Sequence, residues 1–457
     1  MDSKIFKEYD IRGIYPQELD DVVAYKIGWA FVKSLKAKRV AVGRDKRDES
    51  AQIMPAFCRG VEAAGGQVLS LGICGTPELF FGVGWHGLDA GAIMTASHNP
   101  DGYTGIKLCN AQGLSLGLAT GLAKVLKLAA SAPEPERDFL NAFRPEKNHL
   151  AVLSDYYRYL LSLVDLKKIR KGHFKLVLDA SGAAGDLSAD YVFSRLPVVI
   201  EKINFGLDRR YRHGLNPMLS ENQKAAKARV KKIKADLGLI WDGDADRCIF
   251  IDEKGEWVEP YYLNLLLAKI ILGQNREMKI VADARLPVSI AETAKQAGGQ
   301  AVISRAGTAN ILQVLQAKKI KFGCENSGHY FFNFLYNRRV NRNFVYGDAI
   351  LPVLLVLAHL TDNKLTLSEA IEPLRLLNFI SGEQNFPANF DRLAVKLKKK
   401  YNGNKMSEID GLSVWTNDGF FNLRPSKTEP LVRLNIEAKS RSGVVKIKKE
   451  LVGILDT

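Results

Sequence analysis

Apolar runs and amphipathic stretches alternate along most of the chain, and their order repeats. An apolar run is followed by a helical pattern, the string AGGQ, a second apolar run and a third that ends in polar residues. This order occurs from Arg39 to Pro100 and again from Lys279 to His329, and a weaker copy without the AGGQ string runs from Lys175 to Arg247. Strands that alternate with helices are typical of parallel α/β units. The pattern therefore predicts three similar α/β domains.

Each predicted third strand ends in a loop of chemically active side chains. These loops hold Ser97–Asn99, three aspartates at alternate positions from Asp242 to Asp246, and Glu325–His329. In open α/β sheets, ligands bind beyond the carboxyl ends of the strands. We expect the three loops to meet in one cleft. Ser97 has no G-x-S-x-G elbow and no triad signature around it, so a hydrolytic nucleophile is not indicated.

The chain after residue 364 departs from the repeat. It predicts one helix from Asp391 to Tyr401, then antiparallel strands with turns at Asn417–Gly419 and near Pro425. This pattern indicates a smaller α+β domain. The predicted domains are residues 1–147, 148–252, 253–364 and 365–457.

Composition narrows the class of protein. The chain has 457 residues, 46% of them hydrophobic, which is enough for several domains. Its five cysteines are scattered without a C-x-x-C pair, so neither a disulfide framework nor a zinc site is expected. The N-terminus lacks the apolar core of a secretory signal. The longest apolar run, Ile350–Leu360, is shorter than the about 20 residues of a membrane span and predicts a buried helix. We expect a cytoplasmic protein with no membrane partner.

The net charge of +15 raises the question of an anionic partner. Basic runs occur at Leu166–His173, Val230–Asp236 and Val395–Lys405. They are consistent with attraction of nucleic acid or with solvated helix faces. The runs are dispersed and lack the interleaved aromatic residues of a single-strand binding groove, so solvated faces and no nucleic-acid partner are favoured.

The sequence DGDADR at Asp242–Arg247 is the strongest metal signal. Three carboxylates directly after an apolar strand offer the hard oxygen ligands that magnesium and calcium prefer. An EF-hand is the first alternative, since Glu253 falls at loop position 12, but position 6 is Arg247 where glycine is needed. An exposed acidic turn without metal is the second. Open coordination positions of magnesium are commonly filled by phosphate oxygens.

Two further loops carry candidate ligand-binding groups. RPSKTEP at Arg424–Pro430 offers a guanidinium, two hydroxyls and an ammonium, a set that matches phosphate oxygens, although such a stretch also forms ordinary turns. ENSGH at Glu325–His329 offers a carboxylate, an amide, a hydroxyl and an imidazole that suit sugar hydroxyls. A solvated loop is the alternative for this second stretch.

Taken in order, these motifs resemble the α-D-phosphohexomutases, and most closely their phosphomannomutase/phosphoglucomutase branch. The resemblance spans nearly the whole chain and includes FKEYDIRG at Phe6–Gly13, TASHNP at Thr95–Pro100, and the three loops DGDADR, ENSGH and RPSKTEP. It implies four domains around a central cleft, three similar α/β domains with mixed sheets and a C-terminal α+β domain. The YDIRG start favours the mannose/glucose branch over phosphoglucosamine mutases.

The resemblance also implies a role for each motif residue. Ser97 would carry a phosphoryl group and, with Asp242, Asp244 and Asp246, would ligate one Mg²⁺. Charge neutralisation and proton transfer around the moving group fall to Arg12, His98, Lys107 and Arg247, with Lys107 preferred as the base. The implied sugar-binding residues are Glu325, Ser327 and His329. The implied phosphate-binding residues are Arg424, Ser426, Lys427, Thr428 and Arg433.

The implied reaction interconverts a hexose 1-phosphate and its 6-phosphate, with mannose or glucose as the sugar, through a hexose 1,6-bisphosphate that also serves as activator. Alternatives are a sister mutase on glucosamine phosphate and a non-catalytic phosphosugar-binding protein. A small phosphosugar is the expected partner of a monomer or weak homodimer.

Several positions depart from the family pattern. Glycine is common in the family where this chain has Ala245 and Cys324, and glycine or asparagine where it has Lys427. Thr308 and Arg285 stand where the nearest branch often has histidine and lysine. These departures bear on the choice of sugar more than on the phosphoryl chemistry.

Overall fold

The computed structural model describes residues 1–136, 149–206, 213–273, 278–337, 342–426 and 431–455. Within these ranges the strands form four sheets, three of five strands and one of six.

The first sheet is formed by the N-terminal part of the chain. Its strands are β1 (Ile11–Ile14), β2 (Arg39–Arg44), β3 (Gln67–Ile73), β4 (Ala90–Met94) and β5 (Tyr103–Asn110). The helices around it are α1 (Asp21–Leu35), α2 (Asp48–Ala63), α3 (Thr76–Trp85) and α4 (Leu122–Ala129), with 3₁₀ turns at Ser3–Ile5 and Leu118–Thr120. Strand β2 lies parallel to both β3 and β4, while β5 is antiparallel to β4 and β1.

The second sheet follows the same plan. Its strands are β6 (Lys175–Asp179), β7 (Val199–Ile203), β8 (Leu237–Trp241), β9 (Cys248–Ile251) and β10 (Trp257–Val258). Its helices are α5 (Leu153–Ser162), α6 (Leu166–Gly172), α7 (Gly185–Phe193) and α8 (Ser220–Ile233). Strand β6 is parallel to β7 and β8, and β9 is antiparallel to β8 and β10.

The third sheet repeats the plan again. Its strands are β11 (Lys279–Asp283), β12 (Gln300–Ser304), β13 (Phe322–Cys324), β14 (Tyr330–Asn337) and β15 (Arg342–Gly347). The accompanying helices are α9 (Pro260–Gly273), α10 (Val288–Gln296), α11 (Thr308–Ala317), α12 (Leu351–Asn363) and α13 (Leu367–Leu377). Strand β11 is parallel to β12 and β13, and β14 is antiparallel to β13 and β15.

The three sheets confirm the predicted repeat and the mixed sheets. In each one, three parallel strands are joined to two antiparallel strands, and the third parallel strand along the chain is the one at the junction. These junction strands are β4, β8 and β13, and every residue in them is buried. Strands covered by helices on both faces are apolar throughout. Each junction strand leads into one of the predicted chemical loops.

The fourth sheet differs, as predicted, in being entirely antiparallel. Its strands are β16 (Phe379–Ile380), β17 (Gln384–Pro387), β18 (Met406–Ser407), β19 (Leu412–Thr416), β20 (Gly419–Pro425) and β21 (Leu431–Ala438). Helices α14 (Phe390–Lys400) and α15 (Arg441–Leu455) pack on it through a core of their own. The predicted turn at Asn417–Gly419 joins β19 and β20. The four predicted domain boundaries stay a prediction.

One hydrophobic core unites the first three sheets. Phe81 of α3 contacts Tyr156 of α5 at a ring-centroid distance of 5.3 Å and Phe344 of β15 at 6.1 Å. At Gly84, in the same helix, a Cβ would lie 2.1 Å from the Phe344 ring. Since rings from three domains interlock without room for an added methyl group, these domains form a continuous base beneath the cleft.

The fourth domain is attached to this base by a buried carboxylate. Glu437 on β21 accepts hydrogen bonds from the Tyr261 hydroxyl at 2.7 Å, from Val288 N at 2.9 Å and from Ser289 N at 2.6 Å. The last two bonds satisfy free N–H groups at the start of α10, where a negative charge is favourable.

The apolar run at Ile350–Leu360 forms most of the buried helix α12, as predicted. In the described part of the chain, no helix combines the length and apolar character that crossing a membrane would need. The predicted basic runs at Leu166–His173, Val230–Asp236 and Val395–Lys405 contribute exposed lysines to three separate helices. All five cysteines are buried free thiols.

Glu78 at the start of α3 gives a pH-dependent contribution to stability. Burial raises the pKa of this carboxyl from 4.5 to about 7. The folded chain therefore keeps a proton that the unfolded chain releases, and stability falls as pH rises from about 4.5 to about 7. At pH 5 we expect the melting temperature of Glu78→Gln to be no higher than that of wild type. From pH 5 to pH 8 the difference should shift steadily in favour of the variant, because only wild type loses stability as the pH rises.

Thermal unfolding of the two proteins from pH 5 to pH 8 measures this difference. Glu62→Gln, at a partly exposed carboxylate of the same domain, is the control. A pH-independent difference between wild type and Glu78→Gln would contradict the prediction.

Candidate active site

The three chemical loops and the fourth domain surround one cavity of about 360 Å³. Most of the predicted site residues line it. These are Arg12, Ser97, His98, Lys107, Asp246, Arg247, Glu325, Ser327, His329, Arg424 and Arg433. Asp242 and Asp244 lie beneath the lining and contact it. Lys427 and Thr428 lie outside the described residues.

Ser97 occupies a tightly fixed turn between β4 and β5. Its φ is +51°, in the left-handed region that non-glycine residues rarely adopt. Its N–H donates to Thr95 Oγ1 at 2.8 Å, and its carbonyl accepts from Arg47 at 2.9 Å. A Cβ at Gly243 of the metal loop would lie 2.2 Å from that same carbonyl oxygen. The serine loop and the aspartate loop therefore pack backbone to backbone, and glycine is required at the contact.

The Ser97 side chain points at the aspartate loop. Its hydroxyl donates to Asp242 Oδ2 at 2.9 Å, and His98 Nδ1 lies 3.2 Å from Ser97 Oγ. Arg12 contributes from β1, where it pairs with Asp10 at 2.8 Å and donates to Ala96 O at 3.1 Å. These contacts place the His98 ring and the Asp242 carboxylate against the Ser97 hydroxyl, and the Arg12 guanidinium against the residue before Ser97.

The three aspartates that follow β8 form a compact oxygen cluster. Ligand atoms of Asp242, Asp244 and Asp246 lie within 4.8 Å of one another, and all three residues are buried. Asp244 Oδ1 is buried without a hydrogen-bond partner in the part of the chain that the structure describes. A converging set of carboxylates with an unpaired oxygen fits a hard divalent cation such as Mg²⁺.

Cations and a hydroxyl compensate the buried charges of this cluster. Lys107 Nζ lies 2.5 Å from Asp244 Oδ2 and 2.6 Å from Asp246 Oδ2, and Arg247 Nε lies 2.9 Å from Asp242 Oδ2. Thr76 at the start of α3 donates its hydroxyl to Asp244 Oδ2 at 2.6 Å. Buried carboxylates are stable only with such partners, so the two domains are joined at the cluster itself.

Electrostatics separate the two candidate proton-transfer groups. Burial lowers the pKa of Lys107, but Asp244 and Asp246 outweigh it and raise this pKa above its usual value. In contrast, Arg247 lowers the pKa of His98, and burial and Arg12 add to the effect. Lys107 is therefore held as an ammonium and His98 as a neutral imidazole. Because the shift of Lys107 arises from Asp244 and Asp246, the carboxylates that would hold a cation, the assignment of Lys107 as the base stays a prediction.

The loop after β13 is held by a network centred on Glu325. Its carboxylate accepts from Ser327 Oγ at 2.7 Å and from Gly307 N at 2.5 Å. His329 lies between the loops, with Nδ1 at 3.1 Å from Glu325 and Nε2 at 3.1 Å from Asp246. Burial disfavours a charged His329, but Asp246 and Glu325 outweigh this effect and raise its pKa to about 9. A charged imidazole thus links the third domain to the second.

The fourth domain contributes Arg424 and Arg433 to the lining of the cavity, whereas the predicted site residue Ser426 is not part of that lining. Arg424 on β20 lies opposite Arg433 on β21 in the sheet register. Arg424 Nε and Ser426 Oγ are buried and have no hydrogen-bond partner among the described residues. Unpaired donors beside a cavity are the groups that an anionic ligand would satisfy.

Sequence reasoning missed several residues of this site. Tyr9 and Thr308 line the cavity, and Arg285 lines it while pairing with Asp283 at 2.8 Å. Tyr9 lies within a motif that was noted, and Thr308 and Arg285 were noted only as departures. Thr76 carried no local signal, because its partner Asp244 is 168 residues away.

Two of the departures have a structural explanation. Ala245 has a φ of +58°, a conformation in which glycine avoids a steric cost. Its buried methyl group belongs to the shared core, which offsets part of that cost. Cys324 ends β13 fully buried, and its thiol lies 3.9 Å from Val281 O, so it acts as a small core residue.

Comparison with known proteins agrees with this arrangement. Four domain models of the phosphoglucomutase/phosphomannomutase family match in order: α/β/α domain I at residues 3–133, domain II at 154–255, domain III at 259–376 and the C-terminal domain at 376–454. The chain belongs to this family.

Relatives of known name support the same class of enzyme. The chain is 33% identical to the phosphohexose mutases of Xanthomonas campestris pv. campestris strain B100 over 98% of both chains. It is 34% identical to the phosphomannomutase of Vibrio cholerae over 97% of this chain and 96% of that one. A solved phosphoglucomutase/phosphomannomutase family protein from Burkholderia thailandensis superposes with a TM-score of 0.85 at 25% identity, over 100% of this chain and 97% of that one. The chain is a hexose-phosphate mutase, an isomerase, as the sequence motifs predicted.

Proposed function

We propose that this enzyme interconverts the 1-phosphate and 6-phosphate of mannose, of glucose, or of both, with Ser97 as the phosphoryl carrier. One observation supports the proposal above the others. The Ser97 hydroxyl lies 2.9 Å from an oxygen of a buried cluster of carboxylates and lines a cavity that Arg424 and Arg433 also line. A carrier, a cation site and an anion grip are what transfer between two ends of one sugar requires.

The carboxylates of Asp242, Asp244 and Asp246 would hold one Mg²⁺, with an oxygen on Ser97 as a further ligand. Such an ion neutralises the charge that develops on the transferring phosphoryl group. Arg247 and Arg12 flank the serine and would neutralise the same oxygens from the protein side. Lys107, held as an ammonium, would add a third positive charge.

The transfer itself moves one phosphoryl group between two oxygens. The group on Ser97 Oγ passes to the free hydroxyl of a bound hexose monophosphate, the serine oxygen leaves as the new O–P bond forms, and the hydroxyl proton goes to a base. The candidates for that base are Lys107 and His98, which both line the cavity, although the lowered pKa of His98 makes its imidazole a weak proton acceptor. The resulting hexose 1,6-bisphosphate turns over in the cavity, and its other phosphoryl group returns to Ser97.

Binding groups from the third and fourth domains would serve both orientations of the sugar. Glu325 and Ser327 would take sugar hydroxyls, with His329 fixing the pair. Arg424, Arg433, Ser426 and the loop of Lys427 and Thr428 would hold the phosphate that is not reacting. Free hexose 1,6-bisphosphate would act as activator by loading an empty serine.

A coupled assay on mannose 1-phosphate, glucose 1-phosphate and glucosamine 1-phosphate tests the proposal. We expect Mg²⁺-dependent formation of the 6-phosphate from mannose, glucose or both. Turnover of glucosamine 1-phosphate alone would favour the sister mutase. Binding of all three sugars without turnover would favour a non-catalytic protein.

We also propose that the chain acts as a monomer or weak homodimer in the cytoplasm, where hexose phosphates are found. Loops of one chain enclose the cavity, so a second copy is not needed to complete it. Sedimentation at micromolar concentration and cell fractionation test these two points.

Glu325→Ala is expected to lower kcat/KM with every hexose phosphate that the enzyme accepts. The reason is that the carboxylate arranges Ser327 and Gly307 as well as the sugar, and a buried group left unpaired costs about 1–3 kcal/mol. This cost corresponds to a fall of about 5- to 150-fold. Steady-state kinetics on each accepted sugar measure it.

The control is Glu372→Ala, at an exposed position on α13. A loss confined to one sugar would contradict a general grip and would make Glu325 a selector.

A further inference from the structure

Glu383 lies in the short connection between β16 and β17, outside every motif noted in the sequence. Both strands pair with β21. Ser381 fixes the connection, since its N–H donates to Ile436 O at 3.0 Å and its hydroxyl accepts from Ile436 N at 3.0 Å. The next residue, Gly382, has a φ of +68°, which turns the chain and is tolerated best by glycine. The backbone therefore sets the position of Glu383 firmly beside β21.

Arg424 and Arg433, the two arginines of the fourth sheet that line the cavity, repel each other electrostatically. Arg424 and Arg433 are direct partners in the register of β20 and β21. Like charges directly opposite each other on antiparallel strands are destabilising. Two guanidinium groups that must face one ligand therefore need an anion of the protein to keep them side by side.

Glu383 is that anion. Its Oε2 lies 2.9 Å from Nη2 of Arg424, and its Oε1 lies 3.2 Å from Nη1 of Arg433. Asn435 Nδ2 donates to Oε2 at 3.4 Å, which orients the carboxylate further. Burial raises the pKa of Glu383, but Arg424, Arg285 and Arg433 outweigh it and lower this pKa below its usual value. The carboxylate is therefore charged whenever the enzyme works near neutral pH.

Among the described residues, Glu383 occupies only part of the hydrogen-bonding capacity of the two arginines. A guanidinium carries five N–H groups, and Glu383 takes one terminal nitrogen from each arginine. Arg424 Nε is buried and unpaired among the described residues. Because the carboxylate fixes one terminal nitrogen of each guanidinium, both cavity-lining arginines are held in a defined arrangement.

We propose that Glu383 is a positioning residue for the substrate phosphate, holding Arg424 and Arg433 as a preorganised pair. This inference rests on the proposed function, in which those arginines grip the phosphate that is not reacting. Glu383 stays in place when the phosphate binds, and removes one positive charge from the grip so that the ligand can leave and turn over. The alternative role of Glu383 is that of a competing anion, which the phosphate would have to displace from the two arginines before it could bind.

Glu383→Ala separates the two behaviours. Loss of a positioning group weakens a grip that is the same in ground and transition states, so KM for the sugar phosphate should rise by about tenfold while kcat changes little. Removal of a competitor would instead lower KM. An unchanged or lowered KM overturns the proposal.

Glu383→Gln gives a second measurement that does not depend on folding of the alanine variant. Glutamine keeps the shape and one acceptor oxygen, so its KM should lie between those of wild type and Glu383→Ala. Equal losses of kcat in both variants with a lowered melting temperature would indicate a merely structural role and overturn the proposal. Glu408→Ala, which removes an exposed partner of Lys398 in the same domain, is the control.

Calorimetric titration with inorganic phosphate tests the inference without turnover. Wild type should bind phosphate about tenfold more tightly than Glu383→Ala. If wild type lacks mutase activity yet shows this difference, the proposed function fails and the role of Glu383 stands. If wild type is active and phosphate binds both proteins equally, only the role of Glu383 fails.

Discussion

Ser97→Ala should lose nearly all phosphoryl transfer while still binding the sugar phosphate. The variant lacks the oxygen that the proposal assigns to carrying the group between turnovers, but the cavity-lining Arg424 and Arg433 are untouched. Mass spectrometry of active wild type should find a phosphorylated peptide containing Ser97. Glucose 1,6-bisphosphate should restore activity to dephosphorylated wild type and leave the variant inactive.

Ser34→Ala is the matched control, because it removes a buried hydroxyl of the same domain that donates only to Phe31 O. If Ser97 merely ligated the metal, no phosphopeptide would form and the bisphosphate would not activate. Wild-type turnover in Ser97→Ala would exclude the carrier role and the mechanism built on it.

Asp244→Ala should abolish turnover at ordinary Mg²⁺ concentrations, with a fall of more than about a hundredfold. The Asp244 carboxylate accepts from Thr76 and Lys107 and keeps one oxygen without a partner among the described residues, where a cation can bind. Its removal takes one ligand from the metal and also releases the ammonium of Lys107. Mutase assays across a range of Mg²⁺ concentrations, together with direct Mg²⁺ titration, measure both effects.

Asp190→Asn serves as the control, because it alters a partly exposed carboxylate of the same domain that pairs with Lys202. Near-normal activity in Asp244→Ala would remove this loop from the mechanism. Full recovery at high Mg²⁺ would mean that Asp244 contributes to affinity for the ion and not to the shape of the site.

The repeat of apolar runs was sufficient to predict three α/β domains, because a parallel strand covered on both faces needs a continuous apolar run. It was not sufficient to predict how the domains join. The packing of Phe81 against Tyr156 and Phe344 depends on ring shapes brought together from distant parts of the chain. No local periodicity encodes such a contact.

The site divides in the same way. Asp242, Asp244 and Asp246 were predictable because their charges are adjacent in sequence and costly without a cation. Thr76 and Glu383 were not, since each is an ordinary residue whose role arises only where another domain or a neighbouring strand meets it. The pKa values of the site residues could not be predicted from the sequence either. The opposite pKa shifts of Lys107 and His98 depend on which charges lie near each in the folded chain.

The enclosure of Ser97 bears on where the phosphorus in each product comes from. The residue is 2% exposed, and its carbonyl is fixed by Arg47, so an ester formed there is open to water only through the cleft. A loaded serine would then persist from one sugar to the next. The phosphorus atom in each hexose 6-phosphate would derive from the preceding sugar and not from the molecule just converted. In a mixture of labelled and unlabelled hexose 1-phosphate, the first turnover uses the group already on the serine, and the isotope should cross between sugar molecules from the second turnover onward.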